Sequence, residues 1–208
     1  MKIDFRFYAI TDRKKISGDR FFDHLESAFA GGLKAIQIRE KDLSSVELLR
    51  LCERVKNIAG RYKVKTFVND RVDVMLALDL DGVHLTEQSM PADLVRKIIG
   101  NEKLIGVSVH SIENLKAASE ASADFAVLGP LAATPSKPQG HPIMLPDEFK
   151  RACQSVTIPV FALGGINIYS AGFWIQQEAH GVAGISLWME TPDIATQLKQ
   201  LEKQLEHL

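Results

Sequence analysis

The chain has little of several things that mark particular protein classes. Its 208 residues hold two cysteines, Cys52 and Cys153, set far apart. That number and spacing exclude a disulfide framework and a cysteine metal motif, and leave two reduced thiols. Excess charge of either sign is also missing, since 25 Lys+Arg stand against 26 Asp+Glu for a formal net charge of -1. No global field draws in nucleic acid or an anionic membrane, so an anionic ligand must be held by local groups. No apolar run approaches the length of a membrane span, and the stretch MKIDFRFYAITDRKK turns polar too soon for a signal-peptide core. A cytoplasmic protein is the expectation. No Pro/Gly/Ser-rich linker divides the chain, and a hydrophobic content of 46% argues against disorder.

What the sequence does have is an alternation. Short apolar runs read as strands at Phe5–Ile10, Ala35–Ile38, Lys65–Val68, Gly82–Leu85, Leu104–Val109, Phe125–Leu128, Val160–Leu163 and Val182–Ser186. Amphipathic stretches between them read as helices at Phe21–Ala30, Ser44–Ala59, Val72–Leu78, Pro91–Ile99, Ile112–Ala121, around Leu145–Gln154, from about Tyr169, and at Pro192–Leu205. In the second helix, Val46, Leu49, Cys52 and Val55 are spaced to share one face. Continuous apolar strands alternating with helices predict a parallel sheet covered by helices. Eight such units predict an α/β fold closed into a single (β/α)8 TIM barrel over residues 1–208. An open doubly wound sheet is set aside because Ile10 is followed by Thr11-Asp12-Arg13-Lys14, with no G-x-G-x-x-G turn.

Barrels of this kind place their chemistry at the C-terminal ends of the strands. Nearly every predicted strand end here is polar or glycine. Gln37, Arg39 and Lys41 alternate along the second, and residues two apart point to one side of a strand. Dispersed cations and forked donors of that kind suit a pyrophosphate. Gly164-Gly165 and Gly184-Ile185-Ser186 end strands seven and eight, where barrels bind phosphate through backbone amides. Asp70, after Asn69, reads either as a Mg2+ ligand beside a phosphate site or as the N-cap of the next helix. His84 and His110 are candidate acid or base groups, although a lone histidine is more often a hydrogen-bonded structural residue.

Six blocks, in order along nearly the whole chain, carry a family resemblance. They are Tyr8-Ala9-Ile10-Thr11-Asp12, Gln37-Ile38-Arg39-Glu40-Lys41, Asn69-Asp70-Arg71-Val72-Asp73, Asp81-Gly82-Val83-His84-Leu85, Gly106-Val107-Ser108-Val109-His110 and Ala162-Leu163-Gly164-Gly165-Ile166. Together they resemble thiamine phosphate synthase (thiamine-phosphate pyrophosphorylase) and its TenI-like relatives. The resemblance implies a transferase of thiamine biosynthesis. It would couple hydroxymethylpyrimidine diphosphate with thiazole phosphate and release pyrophosphate by a dissociative route assisted by Mg2+. By motif, Gln37, Arg39, Lys41 and Asn69 would bind the pyrimidine diphosphate, and Asp70 the magnesium. Ser108 and Lys137 would contact pyrophosphate. Thr134 and Ser136 would lie beside the thiazole phosphate, with Gly165, Ile185 and Ser186 as its amide cradle. Arg39, Lys41, Ser108 and Lys137 are thus the expected catalytic groups. A homodimer is compatible with this reading.

Two departures from the family pattern define the alternatives. The family's fourth-strand Gly-Gln-Glu-Asp, whose Asp is a second magnesium ligand, is replaced by Thr86-Glu87-Gln88-Ser89. Ser89 takes the ligand's position, and Glu87 stands two residues earlier. A TenI-like thiazole tautomerase would carry a histidine after the Gly that ends strand six, whereas here Gly129 is followed by Pro130. A non-catalytic regulator that binds thiazole or thiamine phosphates would account for both departures, but it predicts drift in Arg39, Lys41 and Lys137, which are intact.

Overall fold

The computed structural model describes residues 3–16, 18–132 and 143–206. Eight parallel strands close a barrel in chain order. They are β1 Phe7–Ile10, β2 Ala35–Ile38, β3 Lys65–Asn69, β4 Gly82–Leu85, β5 Leu104–Val109, β6 Phe125–Leu128, β7 Val160–Leu163 and β8 Gly181–Gly184. β8 returns to β1 with Val182 opposite Phe7, which seals the sheet without an edge. Outside run α1 Arg20–Ala30, α2 Ser45–Tyr62, α3 Val72–Ala77, α4 Ala92–Ile99, α5 Ile112–Glu120, α6 Pro146–Gln154, α7 Ala171–Gln176, α8 Ser186–Met189 and α9 Ile194–Glu206. Among the described residues no helix is long and apolar enough to cross a membrane.

Local chemistry sets the helix ends. α2 opens on a reciprocal cap, in which the Glu47 amide donates to the Ser44 hydroxyl at 3.4 Å and the Ser44 amide donates to the Glu47 carboxylate at 2.9 Å. The buried face of α2 is Leu48, Cys52, Val55, Ile58 and Ala59. It is rotated from the predicted stripe, for Val46 is 57% exposed. A strict three-residue spacing drifts around a 3.6-residue helix, and the mixed four-and-three spacing stays on one side.

Several bounds differ from those the sequence suggests. β1 begins at Phe7, not Phe5. Ile3 and Phe5 are buried inside the barrel end rather than paired in the ladder. β8 ends at Gly184, and Ser186 instead starts the short helix α8. A 3-10 turn at Arg13–Lys15, capped by Asp12, follows β1.

Strand alternation divides the apolar residues into two layers. One lies between strands and helices. The other fills the barrel with Tyr8, Phe67, Phe125 and Phe161 above Phe5. The Phe125 ring centroid lies 5.2 Å from that of Tyr8, 5.6 Å from Phe5 and 5.6 Å from Phe67. Aromatic pairs of this kind contribute about 0.5–1.5 kcal/mol each beyond area burial. Ile3 and Phe5 precede β1, so they close the N-terminal end and leave the opposite rim for ligands.

Candidate active site

Interior parity carries upward to that rim. Gln37 is two residues beyond Ala35, Asn69 two beyond Phe67, Ser108 four beyond Leu104 and Ile185 two beyond Ala183, all of which face the barrel interior. The register sets Asn69 opposite His84 and His84 opposite Gly106, two residues before Ser108. Gln37, Asn69 and Ser108 therefore stand at one mouth. The alternation that predicts Arg39 and Lys41 stops short of them, because β2 ends at Ile38. The turn after β2 places both. Arg39 is half-buried and Lys41 exposed, and among the described residues neither has a carboxylate partner. Thr134, Ser136 and Lys137 lie outside the described residues.

Arg39 is fixed from its backbone. Its amide donates to the fully buried Thr11 hydroxyl at 2.9 Å. Next to it, buried Glu40 accepts from the Arg13 amide at 2.9 Å and faces the Arg13 guanidinium at 3.8 Å. Burial pushes the Glu40 carboxyl up, against the opposing pull of hydrogen bonds from Thr11 and Arg13. Glu40 thus ties the first loop to the second, a role the sequence reading missed. Its only signal was an acid between two cations.

His84 sits inside the barrel. Its Nδ1 is 3.3 Å from the Tyr8 hydroxyl, and its Nε2 is 2.8 Å from the Ser108 hydroxyl. The Gln37 amide nitrogen reaches the same Tyr8 hydroxyl at 3.5 Å. Burial, with help from the nearby Arg39 charge, pushes the imidazole down to about 3. A neutral imidazole of this kind still has one N–H to donate and one lone pair to accept with, and His84 uses both ring nitrogens on interior hydroxyls. Tyr8 is pushed well up by burial and keeps its proton. His110 serves the rim differently. Its amide donates to Glu87 at 3.1 Å, and its Nδ1 contacts the Gly129 carbonyl.

Asp70 is exposed, with a positive φ of 64°. It is not the N-cap of α3. Arg71 holds that position, which removes the capping alternative. Glu87 accepts from Asn114 Nδ2 at 2.7 Å as well as from the His110 amide, so it braces the β5–α5 turn. The Ser89 hydroxyl accepts from the Thr86 amide at 2.8 Å and closes its own turn. Among the described residues no three His, Cys, Asp or Glu side chains form a metal cluster. A lone rim carboxylate still fits Mg2+, which keeps several waters and commonly takes one or two carboxylates plus substrate phosphates.

Across the mouth, Gly164 and Gly165 have φ of 108° and 64°. A Cβ on Gly165 would lie 2.5 Å from Ala132 Cβ, and one on Gly164 would lie 2.9 Å from the Leu131 nitrogen. Glycine is required there both by backbone conformation and by close approach of the β6–α6 loop. Gly164 is buried against that loop, whereas Gly165 is exposed and leaves its backbone open to the rim. Ile185 is half-buried before α8 and Ser186 exposed at its first position. A cavity of about 480 Å³ lies elsewhere, on the α1–α2 flank. Arg61 is paired there with Glu26 at 3.0 Å, and Arg54 lies over Phe22 at 3.5 Å, so these arginines are already engaged.

Residues 7–187 match the model of the family described as thiamine monophosphate synthase. The chain is 39% identical over 186 residues to the thiamine-phosphate synthase of Roseiflexus sp. (strain RS-1), covering 89% of this chain and 79% of that one. It is 34% identical over 203 residues to the thiamine-phosphate synthase of Clostridium beijerinckii, covering 98% and 97%. The solved thiamine phosphate pyrophosphorylase from Pyrococcus furiosus superposes with a TM-score of 0.86 at 31% identity, over 97% of this chain and 95% of that one. A 3-hexulose-6-phosphate synthase at 16% identity and a TM-score of 0.71 shares the fold alone. With a family model that matches residues 7–187 and relatives covered over most of their length, the chain belongs to the thiamine monophosphate synthase family.

Proposed function

We propose that this chain joins hydroxymethylpyrimidine diphosphate to thiazole phosphate, forming thiamine phosphate and pyrophosphate. The observation that carries the reading is the gathering of Gln37, Asn69, Ser108 and Arg39, which has no carboxylate partner among the described residues, around one mouth, opposite the exposed Gly165 backbone. Gln37 and Asn69 orient the pyrimidine, Arg39 and Lys41 hold its diphosphate, and Ser108 donates to a diphosphate oxygen. Lys137 adds a cation to the leaving group, Thr134 and Ser136 contact the thiazole phosphate, and Gly165, Ile185 and Ser186 cradle it through their amides. Departure of pyrophosphate builds negative charge on the leaving oxygens and positive charge on the pyrimidine methylene. Cations and fixed donors aimed at the leaving group favour that separation. The thiazole nitrogen then bonds the methylene carbon. Asp70 would hold a magnesium ion, which would supply further neutralisation of the diphosphate.

The tautomerase alternative needs an imidazole after Gly129, and Pro130 stands there. The deciding experiment gives the purified chain both substrates with Mg2+ and follows thiamine phosphate and pyrophosphate. Equal amounts of both products support the reading. No product, with isomerisation of the thiazole carboxylate phosphate, selects the tautomerase. No reaction of either kind, with tight binding of phosphorylated ligands, selects the regulator.

A further inference from the structure

The rim serine is held from behind by a hydrogen-bonded chain that runs through the barrel interior. Gln37 Nε2 points at the Tyr8 hydroxyl oxygen at 3.5 Å, the Tyr8 hydroxyl meets His84 Nδ1 at 3.3 Å, and His84 Nε2 meets the Ser108 hydroxyl oxygen at 2.8 Å. Gln37, Tyr8 and His84 are all buried, whereas Ser108 is half-buried at the mouth. We propose that this chain has one direction, Gln37 to Tyr8 to His84 to Ser108, and that Tyr8 and His84 are positioning residues that leave the Ser108 hydroxyl hydrogen free to face the diphosphate.

Each link follows from what the groups can donate. The amide N–H of Gln37 occupies the Tyr8 oxygen as an acceptor. Tyr8 has a single proton, and of its two partners among the described residues, the Gln37 amide nitrogen and His84 Nδ1, only the imidazole nitrogen can accept it. A neutral imidazole carries one N–H and one lone pair. With Nδ1 accepting, the hydrogen must sit on Nε2, and it is donated to Ser108. The serine oxygen has then received its hydrogen bond, and among the described residues its own hydrogen meets no further acceptor. A diphosphate offers acceptors only, so a serine already committed as a donor matches it without rearrangement. His84 is buried and its two ring partners are hydroxyls rather than carboxylates, an environment that suits a neutral ring. Gly106 makes room for the chain, since a Cβ there would lie 2.7 Å from His84 Nδ1.

The inference rests on the reading of Ser108 as a diphosphate donor, and two measurements on the full chain separate the two. The first is a long-range proton–nitrogen correlation spectrum of histidine-labelled protein, with His84 assigned through its contacts with the Tyr8 ring. The expected result is a bare Nδ1 and a protonated Nε2, with or without pyrophosphate and Mg2+. A protonated Nδ1, or an even mixture of tautomers, overturns the proposal. The second is calorimetric titration with pyrophosphate and Mg2+. Ser108→Ala is expected to weaken binding roughly tenfold or more, as for a lost hydrogen bond to a charged group. Tyr8→Phe keeps the packed ring and is expected to weaken the wild type but have little effect in the Ser108→Ala background. Equal effects of Tyr8→Phe in both backgrounds overturn the chain. A wild-type protein that does not bind pyrophosphate overturns the diphosphate reading of Ser108, and the tautomer spectrum then judges the chain by itself.

Discussion

Gly106 and His84 stand opposite each other on β5 and β4, and the missing side chain of one is the space of the other. A Cβ at Gly106 would lie 2.7 Å from His84 Nδ1 and 2.4 Å from the Phe125 ring. Phe125 is packed on several sides by other rings and has little room to yield. Gly106→Ala is therefore expected to destabilise by about 1–3 kcal/mol through overpacking and to weaken pyrophosphate binding by displacing the imidazole behind Ser108. Urea unfolding and a pyrophosphate titration check the two effects. Unchanged stability would show that the interior layer is looser than described.

The low affinity of His84 for protons has a consequence for stability. In the unfolded chain an imidazole gains its proton near pH 6.5, whereas the folded form resists until about 3. Below pH 6.5 the unfolded state binds the additional proton, so stability falls as pH drops through that value and continues to fall toward 3. His84→Gln is expected to remove this part of the acid sensitivity. Melting temperatures of both proteins between pH 7 and 5 measure it. Parallel curves would contradict the buried, neutral assignment.

Thr11 joins two loops from inside. Its hydroxyl accepts from the Arg39 amide and donates to Glu40. Thr11→Val keeps the shape and removes both bonds. Leaving a buried donor unpaired costs about 1–3 kcal/mol, and Arg39 loses its anchor. A matching fall in stability and a raised KM for the diphosphate substrate are expected. A stability loss with unchanged kinetics would separate Thr11 from the site.

At Ser89 the hydroxyl accepts from the Thr86 amide. Aspartate can make the same bond with one carboxylate oxygen and offer the other to a cation. Ser89→Asp is expected to lower the Mg2+ concentration needed for half-maximal coupling without loss of stability. No change in magnesium dependence would show that this turn does not face the metal.

Much of this architecture is legible in the sequence, for a physical reason. Each strand of a helix-covered parallel barrel is buried on both sides, so Ala35–Ile38, Phe125–Leu128 and Val160–Leu163 appear as short apolar runs with matching bounds. The same signal misleads at Ile3 and Phe5, because an apolar residue plugging the barrel end looks like one in the ladder. Helix α8 is four residues long. That is too short for periodicity to show, so the sequence pattern carries the strand on to Ser186. At the site, alternation locates Gln37 correctly. It cannot reach Arg39 or Lys41, whose placement depends on the Thr11 and Glu40 contacts with a loop far away in sequence. Nor does sequence reveal that Glu87 is already engaged by Asn114 and the His110 amide. A carboxylate's availability depends on its neighbours in space.

A crystal structure with pyrophosphate, Mg2+ and thiazole phosphate bound tests the central claim most directly. The account predicts pyrophosphate between Arg39, Lys41 and Ser108, Mg2+ on Asp70, and the thiazole phosphate against the Gly165, Ile185 and Ser186 backbone. Ligands bound on the α1–α2 flank, or at the N-terminal end of the barrel, would contradict it.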